Sequence, residues 1–132
     1  MTRVLADTSV WARRLQPDVA RLLAEATDEN RLVVVEPVVL ELLRGVRNAR
    51  ELVQQAGWYD ALGMIALSPD LERRAREVQR HLSWRGYHRG PSAVDLLAAA
   101  AAESVDAELW HCDRHFELIA EITRQPMRRV GE

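Results

Sequence analysis

VLADTSVW, residues 4–11, sets three apolar residues directly before an acid and two hydroxylated residues directly after it. A short apolar run that stops at Asp reads as a strand of a parallel sheet. Strands covered on both faces are apolar throughout, and their carboxyl ends open into the ligand crevice of an open α/β sheet. Working outward, LVVV at residues 32–35 reads as a second buried strand, residues 64–67 as a weaker third, ELWHC at 108–112 as a fourth and residues 127–130 as a fifth. Helical spacing separates them. Val19, Leu22, Leu23 and Ala26 form one apolar stripe, Leu52, Ala56 and Tyr59 a second, and Leu71, Ala75, Val78 and Leu82 a third. Pro37 suits a first helical residue before VVLELLRG, with Gly45 as the stop. Ser92 suits the N-cap of an alanine-rich helix that is apolar nearly all round and therefore buried. A last helix is predicted over residues 114–122. The alternation predicts one α/β domain over residues 1–132, with a mainly parallel sheet of about five strands flanked by helices.

The totals narrow the function. A chain of 132 residues suits a single core. With a formal net charge of −2 it is not a basic, DNA-coating protein. All eighteen Lys+Arg residues are arginine. Phosphatase and receiver sites that depend on lysine are thereby excluded. No G-K-[ST] or G-x-G-x-x-G occurs, which removes the P-loop and the dinucleotide fold. No apolar run approaches the about 20 residues that span a bilayer, and the N-terminus lacks a signal-peptide pattern, so a cytoplasmic protein without a membrane role is expected. Cys112, the one cysteine, has no internal disulfide partner and is expected to pack inward.

Four acids carry the chemistry. Asp7 follows the first strand and Asp113 the fourth; Glu41 lies in the helix after the second strand, and Asp95 in the helix before the fourth. All four are thus expected at one edge of the sheet. Gathered carboxylates force one another to protonate unless a cation joins them, and Mg²⁺ or Mn²⁺ is the hard cation that oxygen ligands select. Each acid also has a purely structural role open to it: Asp7 and Asp113 as helix caps, Glu41 paired with Arg44, Asp95 in a capping box with Ser92.

In this order, VLADTSVW, VVLELLRG, RGPSAVDLLAAAAAES (89–104) and LWHCDRHFELIAEIT (109–123) resemble the PIN domain, and within it the VapC toxins of bacterial toxin–antitoxin pairs. The resemblance runs over residues 4–130. It implies a metal-dependent endoribonuclease of cellular RNA, transfer or ribosomal, usually dimeric and silenced by an antitoxin. It places Asp7, Glu41, Asp95 and Asp113 in the acidic metal site and Ser9 as the hydroxyl supporting Asp7. On this reading Asp7, Asp95 and Asp113 are metal ligands, while Glu41 holds a second ion or orients the attacking water. Two positions depart from the pattern: His111 stands where the family often has Thr or Ser, and His115 where it often has a further acid. The rival reading is a PIN-like module that binds RNA or protein and has lost catalysis.

Several other residues are candidates beside bland alternatives. Arg85, Arg89 and Arg114 are candidate RNA contacts, against the ordinary reading of a solvated basic surface. His115 is a candidate proton donor to the leaving oxygen. His111, Asp113 and His115 alternate in a zinc-like spacing that a predicted strand end interrupts, so chance explains it better. The arginine run at 73, 74, 76 and 80 reads as a helix face paired with Glu72 and Glu77. Trp58, Tyr59 and Leu62 read as core, with a partner surface as the alternative.

Overall fold

A computed structural model describes residues 1–132. The chain runs β1 (Val4–Ala6), α1 (Thr8–Trp11), α2 (Pro17–Asp28), β2 (Leu32–Val35), α3 (Glu36–Leu43), α4 (Ala49–Asp60), β3 (Gly63–Ile65), α5 (Pro69–Trp84), α6 (Ala93–Ser104), β4 (Glu108–His111), α7 (Arg114–Thr123) and β5 (Met127–Arg129). The five strands lie in the order β3-β2-β1-β4-β5, and every neighbouring pair is parallel. Val4 pairs with both Leu32 and Glu108, which sets β1 at the centre. From β1 the chain steps one way to β2 and β3, then returns across to β4 and β5. The gap between β1 and β4 is therefore the topological switch point, where α/β sheets of this kind bind ligands beyond the carboxyl ends of the strands.

Alternation along β1 divides the core. Leu5 faces one side, packed with α5, α6 and α7 through Leu71, Leu82, Leu96, Phe116 and Ile119. Val4 and Ala6 face the other, with Val19, Leu23 and Ala26 of α2 and Trp110 of β4. The alanine-rich α6 is buried as expected, from Ala98 through Ala102. Small side chains on every face let it pack close beneath the sheet and hold its N-terminus against the edge where β1 and β4 end. Arg74 of α5 grips Glu103 of α6 with Nε at 2.7 Å and Nη2 at 3.0 Å, and also meets Glu77.

The expected elements are present, with local corrections. β3 comprises Gly63–Ile65 rather than residues 64–67, and only Ile65 is buried, as suits an edge strand. β4 ends at His111, one residue early, because the Cys112 amide turns away to donate to Ser9 Oγ. Cys112 itself is half-buried rather than packed inward. On α4 the expected stripe fails: Tyr59 is buried, but Leu52 and Trp58 are exposed, with Val53 beside them. Glu77 pairs with the arginine run as expected, whereas Glu72 makes no ion pair. No helix is long and apolar enough to cross a membrane.

Candidate metal and active site

Three of the four acids combine a helix cap with a place in the crevice. Asp7 leaves β1 in extended conformation and caps α1: its Oδ2 accepts from the Ser9 amide at 3.0 Å and from Ser9 Oγ at 2.8 Å. Ser9 Oγ in turn accepts from the Cys112 amide at 2.9 Å, tying the end of β1 to the end of β4. Asp95 is the third residue of a capping box: its Oδ2 accepts from the Ser92 amide at 2.8 Å, and its own amide donates to Ser92 Oγ at 3.1 Å. Asp113 caps α7 through Oδ1, which accepts from the His115 amide at 2.9 Å. One oxygen of each carboxylate is thus committed to the backbone. The structural and chemical readings hold together, because capping locks the carboxylate and leaves the second oxygen for a ligand.

The raised carboxyls of Asp7 and Asp95 share one first cause, burial, with neighbouring acids adding to it. Asp7 is 3% exposed, and its Oδ1 is buried with no hydrogen-bond partner. Burial pushes its carboxyl above the usual carboxylate range; the Ser9 hydrogen bonds pull it back in part, and the nearby Asp95 charge pushes it up again. Asp95 is raised for the same first reason, desolvation, opposed by Ser92 and reinforced by the charges of Asp113 and Glu41. Asp95 is the hub of the four. Glu41 makes no ion pair with Arg44 and instead lines a cavity of about 510 Å³ with Thr8, Arg14, Arg47, Gln55 and Trp58.

An orphaned carboxylate oxygen amid other acids is the state a divalent cation relieves, so the donor set fits an oxygen-preferring ion. One ligand atom each from Asp95, Asp113 and His115 lies within 4.8 Å of the others. His111 does not join them. It is 2% exposed, packs against Phe116 at 5.4 Å, and its Nδ1 accepts from the Asp113 amide at 3.3 Å. Burial, helped by the Arg129 charge, lowers its pKa and keeps the ring neutral. His111 is therefore a neutral acceptor that positions Asp113, and the alternation of His111, Asp113 and His115 is not a three-ligand face.

The candidate arginines separate. Arg85 is engaged by Glu121 at 3.0 Å. Arg89 and Arg114 are exposed without a carboxylate partner, and Arg114 lines a cavity of about 460 Å³ with Tyr87 and His115. Arg13 ties the chain end by donating to the backbone of Ser9 and Glu132. Three further residues gain a place here that the sequence did not assign them. Thr8 and Gln55 each bury an unpartnered oxygen along the Glu41 cavity. Gly90 approaches His115 so closely that a Cβ there would meet the ring at 3.1 Å.

The chain is similar to known proteins over most of its length. The PIN domain family matches residues 4–122. The chain is 34% identical to Ribonuclease VapC18 of Mycobacterium tuberculosis over 91% of its own length and 89% of the relative's. It is 35% identical to Ribonuclease VapC21 of the same organism, over 98% and 94%. Its fold superposes on a chain of the DNA-bound VapBC structure from Salmonella typhimurium with a TM-score of 0.77, at 17% identity and 98% coverage of both chains.

Proposed function

The chain belongs to the PIN domain family, among its VapC ribonucleases, and from that premise we propose that it is the toxin of a toxin–antitoxin pair, hydrolysing phosphodiester bonds of cellular RNA with Mg²⁺ or Mn²⁺. The observation that carries this reading is the gathering of Asp7, Glu41, Asp95 and Asp113 at the switch point, with Asp7 Oδ1 buried and unpartnered. A module that had lost catalysis has no use for a charge cluster this costly, so the nuclease is favoured over the binding module.

Asp7, Asp95 and Asp113 would hold the ion through the oxygens left free by their caps, with Ser9 keeping Asp7 in place. Bound there, a divalent cation supplies charge neutralisation at the phosphoryl group and a more acidic water. Glu41, which lines the adjoining cavity and whose charge reaches Asp95, would hold a second ion or orient the attacking water. Arg89 and Arg114, both exposed and without a carboxylate partner, would neutralise phosphates of the RNA backbone, with Arg85 available once Glu121 releases it. The antitoxin would cover the exposed Leu52, Val53 and Trp58 of α4, beside the Glu41 cavity. Solved structures that share the fold include a toxin–antitoxin complex from Klebsiella pneumoniae, which supports such a partner. A homodimer acting in the cytoplasm completes the proposal.

The decisive experiment incubates the purified, antitoxin-free chain with total cellular RNA under Mg²⁺, Mn²⁺ or chelator. Discrete fragments that vanish with chelator, and with Asp95→Asn, are expected. Intact RNA from folded protein under every metal would transfer the case to a binding module.

A further inference from the structure

We infer that a nitrogen of His115 is itself a ligand to the ion held by Asp95 and Asp113, giving this enzyme a mixed nitrogen–oxygen site that prefers Mn²⁺ or a later transition-metal ion to Mg²⁺. The inference rests on the proposed metal-dependent nuclease reading and specifies its ion.

Three observations place the ring. One ligand atom each from Asp95, Asp113 and His115 falls within 4.8 Å of the others. Ligands bonded at about 2.1 Å to a six-coordinate ion sit roughly 3–4 Å apart, so a small closure around an ion completes the set. His115 Nδ1 lies 3.5 Å from Asp113 Oδ1. That separation is too long for an effective hydrogen bond, and Oδ1 is already taken by the His115 amide, so Nδ1 stands beside the carboxylate with its lone pair free for an ion held by the other oxygen. The opposite edge of the ring is pinned: a Cβ at residue 90 would lie 3.1 Å from Cδ2 and 3.3 Å from Nε2. Glycine at 90 therefore lets the imidazole seat against the backbone with Nδ1 turned toward the carboxylates.

Independent of the histidine, the buried and unpartnered Asp7 Oδ1 indicates that this end of the sheet is built for a cation. Only one imidazole is available, since His111 is buried and its Nδ1 already accepts from the Asp113 amide. That argues against a closed structural zinc site and for an open site of one nitrogen and several oxygens. Imidazole suits transition metals, whereas Mg²⁺ prefers oxygen and gives up its waters reluctantly. As a ligand, His115 Nδ1 has no proton for the leaving oxygen, and Nε2 lies against Gly90. The ligand role therefore takes the place of the proton-donor role expected from the sequence.

The test uses the full chain with metal alone. Calorimetry is expected to give Mn²⁺ an affinity at least about tenfold above that of Mg²⁺, the scale on which even outer-shell partners tune metal binding. Pulsed electron paramagnetic resonance of bound Mn²⁺ should show a ¹⁴N coupling. His115→Asp should still bind Mn²⁺, lose the coupling and narrow the Mn²⁺/Mg²⁺ ratio. His88→Ala, in the connection that also carries Gly90, should retain the coupling. Bound Mn²⁺ without a nitrogen coupling, or a coupling lost in His88→Ala and kept in His115→Asp, would overturn the histidine ligand while leaving a carboxylate-held ion intact. Folded protein that binds neither ion would overturn the nuclease reading as well.

Discussion

Burial makes the ionised form of Asp7 costly in the metal-free fold. Its folded-state pKa, and that of Asp95, are raised first by burial and then by the neighbouring acids. A raised acid contributes its stability below the unfolded pKa and loses it as pH climbs through the folded value. The metal-free protein should therefore melt at progressively lower temperature as pH rises from the unfolded carboxylate range through the raised values. Asp7→Asn, whose amide oxygen can still cap α1, should flatten that decline and melt higher than wild type at neutral pH while losing RNA cleavage. Calorimetric melts across pH check this; a flat wild-type profile would contradict it. Ser9 acts by a different route. Its hydroxyl donates to Asp7 and accepts from the Cys112 amide. Ser9→Ala leaves that amide unpaired and should cost about 1–3 kcal/mol in urea unfolding, with cleavage reduced because the two strand ends lose their link.

Among the elements, α6 links packing to chemistry. Ala98, Ala101 and Ala102 are fully buried, so the helix sits as close to its neighbours as its backbone allows. Its first turn carries Asp95 to the strand ends. Ala101→Leu should cost about 1–3 kcal/mol by overpacking and, by pushing the helix outward, weaken metal binding although residue 101 lies two turns from the site. Unchanged Mn²⁺ affinity in a folded Ala101→Leu protein would show that α6 does not set the position of Asp95. At the other extreme stands α4. Its sequence carries a helical apolar stripe much like that of α5, yet only Tyr59 enters the core while Leu52, Val53 and Trp58 face outward. Periodicity establishes that a helix has an apolar face. It does not establish that the same chain covers that face.

For the whole molecule, folding assembles a charge cluster that the unfolded chain lacks, so an ion that binds the cluster must also stabilise the fold. At a hundredfold excess over its dissociation constant the gain is about 2.7 kcal/mol. Mn²⁺ should raise the melting temperature by several degrees, chelator should reverse it, and Asp95→Asn should be insensitive to both. A wild-type melt indifferent to metal would contradict the site. The same assembly explains why the switch point is where the acids meet: β1 and β4 are neighbours although more than a hundred residues separate Asp7 from Asp113.

The sequence alone determined the parallel α/β architecture, since apolar runs ending in acids and amphipathic stretches between them are local patterns. It also singled out the four acids and Ser9 as candidates, because Asp7 and Asp113 directly follow apolar runs, Glu41 and Asp95 lie in the adjoining helices, and the resemblance they carry can be read without coordinates. Only the tertiary structure decided the rest. That Asp7, Asp95 and Asp113 cap helices with one oxygen and keep another free depends on backbone geometry at each turn. That His111 turns inward as a neutral acceptor while His115 joins Asp95 and Asp113 depends on where β4 stops and α7 begins. Gly90 and Gln55 gained their places from residues distant in the chain. Local propensity acts over a few residues, whereas a site is made of contacts between segments, and those exist only once the sheet has closed its order.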